Sequence, residues 1–341
     1  MRKNFPLVML ILLLTFIAAG CFSLAKGQFE MPFLNILASV SREAGLNLFP
    51  TVNVTPNQEA VLWHIRFPRT IIGLMVGAGL AVSGAVMQGL FSNPLADPGI
   101  IGVSSGASVG AVLAIAMGIA ETSMYAMPAC AFIGSLMAVA ITVALAMRHG
   151  KIPVMTLLLS GVVVGMLLGA ITAAIVTAVD ENRMRQYLFW TVGGLGYRRW
   201  EHVFIGLGPI LIGSGIMVLL ARHLNVLVLG ETEARSLGMP VGFYRMLFLS
   251  LAALVTATGV CISGNIGFIG LVVPHFLRLI VGPDHRRLLP ACLLAGGAFL
   301  VFCDTMGRVL IAPTEIRVGI MTALLGTPYF LYLLRKSRLE E

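Results

Sequence analysis

Few side chains in this 341-residue sequence have the chemistry to form a site, and they are unevenly placed. Arg66 and Arg69 stand three apart in RFPRT, at the start of a long apolar run. Carboxylates inside or beside apolar runs are sparse: Asp97, Asp304 and Glu315. There is no GxxxxGK[ST] phosphate loop, no HExxH zinc pair and no catalytic serine elbow. Neither enzymatic chemistry nor a cofactor is expected. A carrier driven by protons would show more intramembrane ionisable groups. Cys21, Cys130, Cys261, Cys292 and Cys303 form no CxxC and sit mostly in apolar runs, so they read as small buried hydrophobes. The chemistry left open is recognition through charge.

The elements that must position these residues follow from composition. Hydrophobic residues make up 58% and charged residues only 11%, against about 25% charged in soluble domains. A chain of this length cannot hide such a deficit in a soluble core. It is expected to be an all-α polytopic membrane protein in one domain, residues 1–341. Apolar segments that can cross the bilayer lie near 5–24, 70–91, 100–119, 124–147, 152–179, 203–221, 242–263, 267–281, 289–311 and 316–335, about ten helices. The N-terminal run ends in Ala-Ala-Gly-Cys like a lipoprotein signal, but Ala18 occupies the usual Leu position and many spans follow, so 5–24 reads as the first span. The net charge of +8 has no basic stripe interleaved with aromatics, which argues against nucleic acid.

An even span number puts both termini on one side. That side collects Arg2, Lys3, Arg148, Lys151, Arg222, Arg235, Arg245, Arg286, Arg287, Arg335, Lys336 and Arg338, and reads as cytoplasmic. The opposite side nevertheless holds Arg66, Arg69, Arg183, Arg185, Arg198 and Arg199, with Arg308 and Arg317 near it. At a helix start, Arg66 and Arg69 oppose the macrodipole as well as the positive-inside rule. Two readings stand: interfacial snorkelling, or docking of an acidic partner outside the membrane.

Glycines supply a second pattern. Gly102, Gly106, Gly110, Ala114 and Gly118 recur every four residues, and Gly161, Gly165 and Gly169 repeat the spacing, as in tightly packed membrane helices. Between the spans, 180–201 reads as a short interfacial helix with Trp and Tyr. The loop 25–59 is polar. In NPLADPG, Asn93 and Asp97 each precede a proline and read as N-caps of helix starts. On the cytoplasmic side, ETEARSLGMP (231–240) reads as a short helix closed by Gly238 and ended by Pro240, either a turn or a docking element.

Four ordered stretches carry a family resemblance: RFPRTIIGLMVGAGLAVSGAVMQGLFSNPLADPGIIGVSSGASVG, GETEARSLG, GFIGLVVPHFLRLIVGPDHRRLLP and RVGIMTALLGTPYFLYLLRK. From about residue 60 to 335 the chain resembles the ABC importer permeases for ferric siderophores, haem and cobalamin, the FecCD-type transmembrane subunits. The resemblance implies type II importer architecture, a homodimer, two cytoplasmic ATPase subunits, an extracytoplasmic binding protein and a multi-pass location in a bacterial or archaeal plasma membrane. It implies docking of that protein at Arg66, Arg69 and Arg308. It also implies ATPase coupling through segment 222–240, at Glu231, Glu233, Ala234, Arg235 and Gly238. A translocation path is implied at Met155, Thr156, Ser160 and Met166, with a gate at Gly150, Lys151 and Ile152. RHGKIP departs there from the small-hydroxyl gate of some relatives. A ferric siderophore is the expected cargo. Haem or cobalamin by the same mechanism, or a stand-alone secondary transporter, are the alternatives.

Overall fold

A computed structural model describes residues 4–29, 31–46, 48–148, 152–311 and 313–337, with side chains left undescribed at 330, 332–334, 336 and 337. The gate residues Gly150 and Lys151 lie outside the described residues. The described chain is helical, with no β-sheet. In order it runs α1 Phe5–Ala25, α2 Phe33–Glu43, α3 Pro56–Val61, α4 Phe67–Leu90, α5 Val103–Ala116, α6 Ala126–Ala146 and α7 Val154–Ala178. There follow α8 Glu181–Thr191, α9 Trp200–Leu219, α10 Ala221–Val228, α11 Glu231–Ser236, α12 Val241–Ser263, α13 Ile269–Val281, α14 His285–Val309 and α15 Val318–Ser337. Seven helical stretches are long and apolar enough to cross a membrane, and three shorter apolar helices (α5, α13 and residues 318–329 of α15) complete the expected ten.

The second span differs from its sequence reading. Its helix does not begin at residue 70 but runs unbroken from Pro56 to Leu90. Pro68 lacks an N–H and its ring would clash with the carbonyl four residues back. The chain accommodates it with one π-helical turn, Leu62–Arg66, in which Phe67 N–H reaches back to the Leu62 carbonyl. The N-terminus of the element lies at Thr55, whose hydroxyl and Gln58 form a reciprocal capping box. Arg66 and Arg69 are therefore not at a helix start, and the macrodipole penalty expected of them does not arise.

The core gathers around α4, which is buried along most of its length against α14, α12, α9 and α13. Gly77 of α4 meets the backbone of Gly296 in α14, and a Cβ on either would strike the other's carbonyl. The glycine stripe of α5 is shorter than its spacing implied. Gly102 and Gly118 adopt left-handed conformations, φ +89° and +71°, that bound the helix, while Gly106 and Gly110 press on the α6 backbone at Gly134 and Cys130. In α7, Gly161 abuts the Ile100 carbonyl, but Gly169 faces open space. The first stripe is packing; only part of the second is.

Three connections also differ. Asp97 caps a 3-10 turn, Pro98–Ile101, through Gly99 N–H, whereas Asn93 bonds Leu95 N–H in an Asx turn without a helix. The polar loop 25–59 contains α2, which buries Ile36, Ala38, Ser39 and Ser41 and exposes Phe33, Leu34, Leu37 and Val40 along its other face. That two-faced pattern suits a helix lying in the membrane interface. Finally, 264–268 is non-helical before the half-length α13, whose Gly270 packs on Gly84 in the second half of α4. Irregular backbone within a membrane persists only inside protein, and the Ser263 carbonyl accepts from Gly194 N–H at 2.7 Å.

The two glycine patterns separate experimentally. Gly110→Ala forces a Cβ into the Cys130 carbonyl and should lower the thermal unfolding midpoint in detergent, by the equivalent of about 1–3 kcal/mol. Gly169→Ala should leave the midpoint unchanged or raise it through helix propensity.

Candidate functional site

Two groups of charged residues occupy opposite ends of the helix bundle. The first lies where α1 and α14 end and α4 begins. Arg69 donates to both oxygens of Asp304, Nε at 2.9 Å and Nη2 at 2.8 Å, and its Nη1 reaches Glu315 at 3.0 Å. Arg308 forms an ion pair with Asp304 Oδ2, an oxygen it shares with Arg69, at 3.2 Å and donates to Ser23 Oγ at 2.8 Å, Thr305 Oγ1 at 3.0 Å and the Lys26 carbonyl at 3.2 Å. Arg66 donates to the carbonyls of Leu24, Ala25 and Phe29. The last carbonyls of a helix have no intrahelical donor and carry its negative dipole end. The guanidinium of Arg66, joined by Arg308, supplies what the end of α1 lacks.

The structure thus brings Arg66, Arg69 and Arg308 together, as the sequence grouping implied, but turns them inward: they are 4%, 8% and 4% exposed. Their partners Asp304 and Glu315 account for two of the three carboxylates noted near spans. Asp304 and Arg308 stand one helical turn apart, so that pairing was readable from sequence. The Arg69–Asp304 pair, 235 positions apart in sequence, was not.

The second group is at the other end. Helix α11 carries Glu231, Glu233, Ala234 and Arg235, and Gly238 closes it at φ +79°. Ala234 is buried beneath the short helix; Glu233, Arg235, Leu237 and Gly238 project outward. Glu231 accepts from Arg235 at 2.8 Å and from Arg245 of α12 at 3.2 Å. Burial alone would raise the Glu231 carboxyl, but Arg245 and Arg235 outweigh it and hold the group below its ordinary range. The same Arg245 nitrogen donates to the Ile152 carbonyl at 2.9 Å. One guanidinium therefore joins α11 to the segment that enters α7, with its side chain only 13% exposed. Sequence reasoning counted Arg245 merely as a cytoplasmic charge.

Of the expected path residues, all lie on α7. Met155 and Met166 are exposed at 68% and 72%, and Thr156 and Ser160 are half-buried beside them. Leu157, Gly161 and Val164 form the buried face. Ile152 is buried, its carbonyl held by Arg245. No group of three or more metal-ligating side chains gathers among the described residues.

A third feature escaped the sequence reading. A cavity of about 1030 Å³ opens beside the first group, between the start of α4, the α8–α9 connection and the segment before α15. Trp200 Nε1 donates to the Trp63 carbonyl at 2.8 Å and fixes the start of α9 against the π-helical turn on one wall.

Asp304 is the buried anion on which the first cluster turns. Asp304→Asn should cost about 3–5 kcal/mol, seen as a lowered unfolding midpoint, because it strands two buried cations. Adding Arg69→Met to Asp304→Asn should recover part of that loss.

Residues 12–336 match the model of the FecCD transport family. The chain is 48% identical over 283 residues to the cobalamin import system permease protein BtuC of Halobacterium salinarum, covering 83% of this chain and 75% of that protein. It is 43% identical to the vitamin B12 import system permease protein BtuC of Escherichia coli, covering 83% and 86%. It is 41% identical to the hemin transport system permease protein HmuU of Yersinia pestis, covering 91% and 95%. A solved structure described as an inward-facing metal-chelate type ABC transporter superposes with a TM-score of 0.85 at 32% identity, over 97% of this chain and 99% of that one. The chain belongs to the FecCD transport family, as a multi-pass permease subunit of a type II ABC importer.

Proposed function

We propose that this permease carries a metal-containing chelate of the cobalamin and haem class into the cell, as a homodimer with two ATPase subunits and an extracytoplasmic binding protein. The cargo class rests on the relatives named for cobalamin, vitamin B12 and hemin. The relatives reported above are named for cobalamin, vitamin B12 and hemin, so a ferric siderophore by the same mechanism is the second reading. On this reading residues 1–341 act as one permease domain. The end bearing α11 faces the cytoplasm with both termini, and the arginine cluster faces outward. The excess of outward arginines then has a physical account. Arg69 and Arg308 are neutralised within the chain, Arg66 is absorbed by carbonyls, and Arg183 and Arg185 pair with Asp180 and Glu181.

The observation that carries the mechanism is the Glu231–Arg245–Ile152 connection. ATP supplies energy by binding two conformations unequally. An ATPase that grips the projecting Glu233, Arg235 and Gly238 turn displaces α11, and Arg245 passes the movement to α7. There Met155, Thr156, Ser160 and Met166 flank the path and Gly150, Lys151 and Ile152 form the gate. Outside, the three buried arginines contribute a net positive field that steers an acidic binding protein, while direct contact falls to residues above them.

In proteoliposomes holding permease, ATPase and binding protein, Arg245→Gln should leave ATP hydrolysis in place and cut uptake of cyanocobalamin or haemin about tenfold, the effect of about 1.4 kcal/mol of lost coupling. Gly238→Val, which strains a left-handed turn by about 1–2 kcal/mol, should act in the same direction. Equal uptake by Arg245→Gln would exclude the Arg245 route. Uptake that proceeds without ATP and without any ATPase subunit would favour a secondary transporter instead.

A further inference from the structure

Apart from Arg66, which carbonyls hold, Arg198, Arg199 and Arg317 on the outward face have no carboxylate partner among the described residues, and all three line the same cavity of about 1030 Å³. Arg198 is the innermost in character. Its Nε is shut off from solvent and has no hydrogen-bond partner among the described residues. Burial first, and then the nearby charge of Arg317, lower Arg198 to about 10, so it stays a cation at neutral pH while crowded by its neighbour. Arg317 is held in place by the Phe189 carbonyl at 3.0 Å and by the Phe189 ring at 4.6 Å. Neither contact neutralises it. Glu201 and Glu315 also line the cavity, but Glu315 is spent on Arg69. An unneutralised pair of guanidiniums in a concave, partly desolvated site costs energy unless an anion completes it.

The cavity meets α15 at that helix's first residue. Val318 lines it, and the next residues, Gly319, Ile320, Ala323, Leu324 and Thr327, line an apolar groove of about 540 Å³ running along α15. A charged cavity beside an apolar groove, their linings adjacent at Val318 and Gly319, suits a molecule with anionic oxygens at one edge and an apolar body. An acidic side chain of a docked protein needs the charged cavity alone.

We propose that this vestibule is a receiving site for the transported chelate, in which Arg198 and Arg317, with Arg199 at the rim, hold a carboxylate of the cargo while its body enters the groove along α15. The inference rests on the importer reading and narrows it to cargo that bears carboxylates.

The test uses the permease–ATPase complex in nanodiscs, with haemin and ferric dicitrate as carboxylate-bearing probes. Haemin dimethyl ester and cyanocobalamin serve as probes without free carboxylates. Binding of at least one carboxylate probe is expected, weakened about tenfold by Arg198→Gln and by Arg317→Gln. Arg198→Lys, which keeps the charge, should retain most of it. The probes without carboxylates should respond to none of the three. The proposal is overturned if neither carboxylate probe binds the wild-type complex, or if the esterified probe shows the same dependence on Arg198. It is also overturned if Arg198→Gln leaves cargo binding intact but weakens docking of the cargo-free binding protein, which would assign the vestibule to that partner. ATP-driven uptake of cyanocobalamin by a complex that ignores both carboxylate probes refutes this inference and leaves the importer reading standing.

Discussion

A single carboxylate in a low-dielectric setting constrains one whole end of this molecule. Asp304 is 3% exposed and lies between two guanidiniums. An isolated ion at such a depth would be lost to neutralisation or unfolding; paired, it fixes where each cation can be. Arg69 is drawn from α4, Arg308 from α14 and Glu315 from the segment that leads into α15, while Arg66 and Arg308 receive the carbonyl end of α1. Four helices thus share one ionic joint. Their apolar lengths need no such joint to enter a membrane, since lipid is as apolar as any neighbour. The ions add register, because Arg66, Arg69 and Arg308 each reach named acceptors on other helices.

The opposite end is built differently. Below the joint, helices are held by small residues that let backbones touch, as at Gly77 with Gly296 and Gly84 with Gly270. The α7 helix shares only part of this packing and leaves a wide apolar face uncovered. Its link to the projecting α11 runs through one side chain, Arg245. A rigid ionic joint at one end and a loosely packed helix tied to an exposed lever at the other are the requirements of a two-state device. On the reading proposed here, the joint is the fixed frame and α7 with α11 the moving part.

What the sequence disclosed follows from the range of the forces involved. Transmembrane spans are long apolar runs, and all ten were visible as such, including the shortened α13. The αL closure at Gly238 and the cap at Asp97 are local signals and were readable. The start of the second span was misjudged because Pro68 mimics a helix beginning, and only the π-helical turn before it allows the helix to continue. The amphipathic α2 was hidden in a loop whose mean polarity is high. Arg66, Arg69 and Arg308 were grouped by resemblance, but their inward orientation depends on contacts from Ser23 to Glu315 that no local pattern encodes. Arg198 and Arg317 share a cavity for the same long-range reason.

The central claim, that α11 and the start of α7 move as a unit against the rest, is tested most directly by pulsed electron–electron resonance on the reconstituted importer. Spin labels at Leu237 and Met155 report the distance within the proposed moving part, and labels at Met155 and Arg286 report its distance from α14. ATP binding should leave the first distance unchanged and shift the second. A shift in the first with a constant second distance would contradict the account.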